Sequence, residues 1–582
     1  MNKFLSVTSI LVFLSGCGGG GESGNAETGF VATNSNETSS ALHSISATPI
    51  TNTVEDESYR FNLSVKNPSD ESLTYRLVNA PEWLSVDTTG VVSGIAQTNA
   101  DTGTFRDISV HVADSQQRVV TLAPFDLTVT PVNDAPKITM TKQNYVVDGR
   151  SKTSIAFNFS DEESSYPDDV QLVGNNADIL SVELLTNNEI EVTVADVESV
   201  TETALQVEFF DGNTSVLQNL EMTILPMTES GLGRTIRGSR NGAGIHLVVL
   251  GDGYTASQQD LFMQDALAFN AMFDNDPYIA SHMSAWNIHM VYRESQESGA
   301  DNEYGVDTTE TFFDSGYSCK EITRLICANS SKVFAAALEE FPLVSQSVLV
   351  VNAEAFGGSG GNSLAVYNRT SPELAMHELG HSFANLADEY VDESISDYYL
   401  QFYEQGAFAN VSNSENAEDA PWAHWIDDRN NLSNESGDQK VGLYEGAYFT
   451  SEGFYRPVYD SVMRTAGKPF GVVNAEQWIL SIYSEVGAVT YILPYSNNIS
   501  VYANNGANFS VAPTFGTPLQ ELKWFLDDVE IDDAFNKQSL ALDLPVGTYT
   551  VAMQISDVSG KIRNPAKDIS SNFTYEWQLT VK

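Results

Sequence analysis

Cysteine is scarce in this chain. Of 582 residues only three are Cys, at positions 17, 319 and 327. A closed structural zinc site, usually rich in thiolates, is therefore set aside. Cations are scarce too: 29 Lys and Arg stand against 78 Asp and Glu, a net charge of −49. That excludes the basic face a nucleic-acid binder needs. It fits a soluble protein outside the cell, and carboxylate-rich chains suit calcium. Beyond the N-terminus, no stretch is apolar enough for a transmembrane helix. The run Gly357-Gly-Ser-Gly-Gly361 lacks the following Gly-Lys-Ser/Thr, so it reads as a loop and not a phosphate cradle.

The N-terminus reads as a targeting segment. Met1-Asn-Lys3 is a short charged start, and the apolar run Phe4 to Leu14 is too short to remain as a membrane span. Leu14-Ser-Gly-Cys17 resembles the bacterial lipoprotein signal, in which the Cys becomes the lipidated first residue; an ordinary secretory signal is the alternative. Gly18 resembles the outer-membrane-sorted pattern. The expectation is a signal peptide over 1–16, lipidation at Cys17, and a flexible tether over 17–45. The protein is then an outer-membrane lipoprotein facing outside or the periplasm, or is released extracellularly, and touches membrane by its anchor only. Cys319 and Cys327 remain as the one available pair in an oxidising compartment, and a disulfide between them is expected.

What the chain does carry is His377-Glu-Leu-Gly-His381. On a helix, residues four apart share one face, so both imidazoles can bind one ion. Zinc accepts imidazole nitrogen and can leave a position open for water, which Glu378 then reaches as a base. Pro372 and Glu373 suit a helix start, and Leu374, Ala375, Leu379 and Phe383 make the helix a buried one.

Around this helix the pattern divides the chain. Residues 46–134 show short alternating strands such as Tyr59-Arg-Phe-Asn-Leu-Ser-Val, the pattern of a β-sandwich. Residues 135–226 repeat it more loosely. Residues 227–240, with Arg234, Arg237 and Arg240, read as a linker. Over 241–490 strands alternate with helices: strands at Ile245, Trp286 and Ser347, helices from Gln258 to about Phe273 and from Ser331 to Glu340. That implies an α/β domain with a mostly parallel sheet. Asn362-Ser-Leu-Ala-Val-Tyr367 is a candidate edge strand beside the cleft. Residues 491–582 return to a sandwich. The run from Leu73 to Val86 and the joint Pro131-Val-Asn-Asp-Ala-Pro136 resemble cadherin-like immunoglobulin modules of bacterial surface proteins. Glu57, Asp114 and Asp134 are candidate Ca2+ ligands in these N-terminal modules, although a solvated turn is the default reading of such residues.

Zinc needs a third protein ligand. The metzincin pattern places Gly and a third His after the motif; here those positions are Ala384 and Ala387. Asp388 is one further on, and a straight helix would carry it about 10 Å along the axis from His381. Asp388 is the favoured ligand if the chain bends between Ala384 and Leu386; Glu389, Glu393, Glu404 and Glu415 are the alternatives. Ser461-Val-Met463-Arg464 is a candidate Met-turn.

The run His377 to Tyr390 resembles the signature of the IgA-specific metalloendopeptidase family of bacterial zinc peptidases. Leu250-Gly-Asp-Gly-Tyr-Thr, Trp422-Ala-His-Trp-Ile, Val441-Gly-Leu-Tyr-Glu-Gly-Ala and Tyr455-Arg-Pro resemble further blocks, so that the resemblance covers about 245–490. It implies an α/β metzincin-like zinc peptidase domain flanked by all-β immunoglobulin-like sandwiches, a bound Zn2+ and endopeptidase activity. From the matching blocks Tyr455, Arg456 and His424 are candidate donors to the reaction's oxyanion, Tyr455 foremost. The expected partner is an extracellular protein or glycoprotein substrate. The competing expectation is an adhesin or glycan-binding protein with an inert peptidase-like domain; the complete motif with its base speaks for the enzyme.

Overall fold

The computed structural model describes residues 44–67, 70–186, 188–240, 243–302, 308–429, 440–503, 505–564 and 572–582. Cys17 and the expected signal and tether up to residue 43 lie outside the described residues. Two compact units divide between Asn133 and Asp134.

The first unit is a β-sandwich. One sheet runs Asn52–Val54, Phe125–Thr130, Gly103–Ala113, Thr74–Val78; the other runs Tyr59–Asn62, Val91–Gly94, Leu84–Val86. Alternate residues point inward, as strand geometry dictates, and Tyr59, Phe61, Val92, Ile108, Val110 and Leu127 form its core.

The second unit opens with another sandwich of two four-stranded sheets, packed on Ile155, Phe157, Ile190, Val207 and Phe209. An α/β layer follows. Its sheet contains β1 (Gly233–Arg237), β2 (Ile245–Asp252), β3 (Trp286–Val291), β4 (Gln346–Val351), β5 (Gly358–Gly361) and β6 (Leu364–Asn368), in the order β1-β3-β2-β4-β6-β5. The central strands are parallel, while β1 and β5 run antiparallel at the two edges. Strands β3 and β4 are buried throughout, as expected for strands covered on both faces. Leu247 and Val249 face α1 (Gln259–Asn275), α3 (Glu373–Ser382) and α5 (Gly471–Val486). Val248 and Leu250 face α2 (Ser330–Glu340). A short helix α4 (Ser396–Leu400) lies between α3 and α5 in the chain.

Two segments differ from the sequence reading. Residues 227–240, read as a linker, contribute β1, and their arginines join neighbouring parts of the unit. Arg234 pairs with Asp148 of the second sandwich at 2.6 Å, Arg237 with Asp274 of α1 at 2.6 Å, and Arg240 donates to the Phe515 carbonyl. The glycine run read as a loop is β5, the edge strand, and the segment read as an edge strand is β6, one position inward. A Cβ at Gly358 would lie 2.6 Å from Glu378 Oε1, and one at Gly360 only 2.3 Å from the Glu378 carbonyl. Only side-chain-free residues allow the strand to lie against the motif helix.

The C-terminal sandwich, with strands from Val489 to Val581, does not have a core of its own. Phe509, Trp524 and Trp577 belong to one continuous apolar cluster with Trp286, Phe383 and Trp478 of the α/β layer. Trp478 is fully buried and packs on Phe273, Trp286, Phe383 and Phe470. Replacing Trp478 by Ala should cost about 3–5 kcal/mol through the cavity it leaves. Because the core is shared, denaturant unfolding of that variant should move the α/β layer and the C-terminal sandwich together; two separated transitions would contradict the shared core.

Candidate active site

Helix α3 starts at Glu373, whose carboxylate sits in the first turn beside Pro372. Its buried face runs from Leu374 to Gly380, which carries the motif into the interior and leaves one side open to a cleft of about 970 Å³. The helix ends at Ser382, and the chain then reverses. Asn385 adopts a left-handed φ of 50°, a conformation Asn tolerates better than most residues. Leu386 N–H donates back to the Gly380 carbonyl at 2.9 Å. This is the bend that Asp388 requires.

The reversal brings three side chains together. His377 Nε2 and His381 Nε2 are 3.1 Å apart. Asp388 Oδ1 lies 3.1 Å from the first and 3.2 Å from the second. Each Nδ1 is committed elsewhere: that of His377 donates to the Val462 carbonyl at 2.9 Å, and that of His381 to the Leu386 carbonyl at 2.7 Å. A carbonyl can only accept, so both Nδ1 atoms carry the proton and both Nε2 atoms of the neutral rings are bare lone pairs. Three acceptors therefore face one another, and Asp388 Oδ1 is buried without a hydrogen bond. Such a set needs positive charge. Burial opposes ionisation of His381, but the adjoining Asp388 carboxylate outweighs it and pushes the imidazole up to about 9. Burial likewise opposes the charge on Asp388, yet the two imidazoles hold its carboxyl well below the ordinary range. A proton can bridge only two of these three atoms, whereas a divalent ion satisfies all three. Two imidazoles and one carboxylate are also a donor set that suits zinc. Glu378 also reaches this group: its carboxylate and the two imidazoles offer ligand atoms within 4.8 Å of one another.

Glu378 lies against the glycines of β5 and is 7% exposed. Burial raises its pKa, opposed by His377 and His381. The turn Ser461-Val-Met463 underlies the site. Met463 is fully buried, and a Cβ on Gly380 would come within 2.4 Å of its Sδ, so the motif glycine is what lets the turn approach. The Val462 carbonyl fixes His377, and the Met463 carbonyl accepts from Glu389 N–H at 2.8 Å.

Glu389 is not aimed at the imidazoles. Its buried carboxylate accepts from Ser461 Oγ at 2.7 Å and from the Asn410 and Asn474 amides at 3.0 Å each. Asn410 also clamps Ala387, accepting its N–H at 2.9 Å and donating to its carbonyl at 2.8 Å. Glu389 and Asn410 thus hold the backbone on both sides of Asp388. Sequence reading missed Asn410 and Asn474; nothing local marks an Asn that works on a residue 21 or 85 positions away. Of the later glutamates, Glu393 accepts from Ser451 N–H at 2.8 Å, and Glu404 and Glu415 do not line the cleft.

The oxyanion candidates are also placed elsewhere. Tyr455 pairs with Ser412, packs by the Trp422 cluster and does not line the cleft. Arg456 is buried and donates to the Glu445 and Gly446 carbonyls at 2.9 and 2.5 Å. His424 donates to Glu476 at 2.6 Å, away from the metal-type ligands. The cleft wall carries instead Tyr390 and Arg324, the latter on the loop closed by the Cys319–Cys327 disulfide. In the N-terminal module Asp114 is held by the Arg118 guanidinium at 2.7 Å, and Glu57 is exposed. Neither joins a convergent set of carboxylates among the described residues. No described helix is long and apolar enough to cross a membrane.

Comparison with known proteins finds two family models along the chain. Residues 236–434 match the family model described as IgA Peptidase M64, a peptidase family, and residues 41–130 match an Ig domain model. No curated protein matches the chain. Among solved structures, fibronectin(III)-like modules of CbhA from Clostridium thermocellum share 13% identity over 31% of this chain and 94% of theirs, with a TM-score of 0.14. The EC1-2 fragment of human protocadherin-24 shares 15% identity over 32% of this chain and 99% of its own, with a TM-score of 0.19.

Replacing Asn410 by Ala should release the backbone beside Asp388 and leave the Glu389 carboxylate short of a donor. Metal affinity should fall about 10–100-fold, as for other lost supports of a ligand. A chelator-competition titration measures this; unchanged affinity would mean that the clamp does not set the position of Asp388.

Proposed function

We propose, on the premise that residues 236–434 match the IgA Peptidase M64 family, that this chain is a zinc-dependent endopeptidase. His377, His381 and Asp388 hold the ion, and the substrate is an extracellular protein or glycoprotein. The observation that carries the reading is the meeting of two Nε2 atoms, whose Nδ1 protons are both committed to carbonyls, and one buried carboxylate oxygen within 3.2 Å of one another.

When bound, zinc supplies Lewis acidity to a water and to the scissile carbonyl. The remaining steps belong to the chain. Glu378, buried beside the ligand set, accepts the proton of the attacking water and later delivers it to the leaving amine. Its burial favours the protonated form once the proton arrives, which suits a group that must hold a proton between two steps. Gly358 and Gly360 of β5 border Glu378 with no side chain between. The Arg324–Ile326 loop already takes the Gly358 N–H and carbonyl, which leaves the Gly360 end of that strand to receive an extended peptide by backbone pairing. Phe356, Tyr398 and Phe402 line the same cleft and are exposed, offering apolar contact to the side chains of that peptide. Lipid anchoring at Cys17 and an outer-membrane address belong to the same proposal; the sandwiches then act as spacers or substrate grips.

The test is metal content and casein cleavage by the purified chain, with and without chelator, beside Glu378→Ala. One zinc per chain and chelator-sensitive cleavage are expected. Glu378→Ala should keep the metal and lose turnover. Cleavage surviving in that variant would falsify the role of Glu378, and absence of bound zinc would overturn the reading as a whole.

A further inference from the structure

An attacked peptide carbonyl develops negative charge on its oxygen, and hydrolases place a hydrogen-bond donor there besides any metal. None of Tyr455, Arg456 and His424 reaches the cleft. Tyr390 does. It follows the ligand Asp388 by two residues, and its ring lies along that of His377, centroids 6.2 Å apart and 27° between planes. Its hydroxyl accepts from Arg324 Nη2 at 3.2 Å. Among the described residues no group accepts the hydroxyl's own proton, so that proton is free to be donated into the cleft. The neighbouring Tyr448 differs, since its hydroxyl donates to the Tyr399 carbonyl at 3.4 Å.

Arg324 is held from both sides. Its carbonyl accepts from Gly358 N–H at 3.1 Å, and Ile326 N–H donates to the Gly358 carbonyl at 3.4 Å, so its loop is laid on β5 beside Glu378. The Cys319–Cys327 disulfide closes that loop. Its guanidinium stands 5.4 Å from the centre of the Tyr390 ring and pairs with Asp392 at 3.2 Å. The arginine thus links the strand that borders the base to the segment that follows the third ligand. A cation donating to a phenol oxygen fixes the hydroxyl and strengthens it as a donor.

We propose that Tyr390 is a catalytic residue whose hydroxyl donates to the carbonyl oxygen as it becomes an oxyanion, and that Arg324 is the positioning residue that orients it. No bond to Tyr390 forms or breaks; the hydroxyl keeps its proton and shares it in a hydrogen bond that is strongest in the transition state. The inference rests on the zinc-endopeptidase reading and adds to it a donor that differs from the sequence candidate Tyr455.

The test compares wild type, Tyr390→Phe, Arg324→Lys and Arg324→Gln in the full, metal-loaded chain. Four quantities are read: kcat and KM on casein-derived peptides, metal content, and calorimetric affinity for a phosphinic peptide and for a cleaved product peptide. Tyr390→Phe should lower kcat about 10²–10³-fold, the cost of one lost oxyanion donor, with KM and metal content unchanged. Its affinity for the phosphinic peptide, a tetrahedral mimic, should fall in parallel while product affinity holds. Arg324→Lys should retain more kcat than Arg324→Gln. Wild-type kcat in Tyr390→Phe, or equal weakening of the phosphinic and product peptides, would overturn the proposal. If wild type cleaves nothing, the endopeptidase reading fails by itself. The calorimetry still decides the role of Tyr390, since equal phosphinic affinity in wild type and Tyr390→Phe rejects it.

Discussion

Two histidine Nε2 atoms and a carboxylate oxygen lie within 3.2 Å of one another, a concentration of ligand atoms that calls for positive charge between them. Much of the surrounding structure exists to hold that arrangement. The Val462 and Leu386 carbonyls fix the tautomers and point both Nε2 atoms inward. The reversal at Asn385 swings Asp388 back towards the helix that carries the imidazoles. Glu389, Ser461, Asn410 and Asn474 then lock the returning strand of chain to the turn at Met463. Supporting groups of this kind orient ligands and set their affinity as much as the ligands themselves do.

The scaffold supplies the rigidity. The motif helix packs on one face of the six-stranded sheet with α1 and α5, and the aromatic cluster about Trp286, Phe383 and Trp478 runs on into the C-terminal sandwich. Sites borne on packed helices and strands are more accurately placed than sites on loops. The first strand of the sheet is joined to the second sandwich by the Arg234–Asp148 pair, in which the arginine is almost wholly buried. Arg237 and Arg240 likewise sit where parts of this unit meet.

Much of this was legible in the sequence, for physical reasons. Period-two runs marked the sandwiches, and apolar strands between helical runs marked the α/β layer, with β2, β3, β4, α1 and α2 falling where the pattern placed them. The motif's four-residue spacing put both imidazoles on one face. The glycine strand was not legible, because composition alone cannot tell a flexible loop from a strand whose side chains are excluded by Glu378. The bend before Asp388 had a signal that went unused: Asn385, a residue that accepts left-handed φ. The carboxylate of Glu389 resembled a ligand because its partners come from residues 410, 461 and 474, far along the chain. Tyr455 pairs with Ser412 and does not line the cleft, a placement set by residues distant in the chain that no local pattern marks.

X-ray absorption at the zinc edge of the metal-loaded chain tests the central claim most directly. The account predicts a first shell of nitrogen and oxygen only, with the multiple-scattering signature of two imidazoles, and the loss of one light-atom ligand in Asp388→Ala. A shell with a single imidazole, or one that Asp388→Ala leaves unchanged, would contradict it.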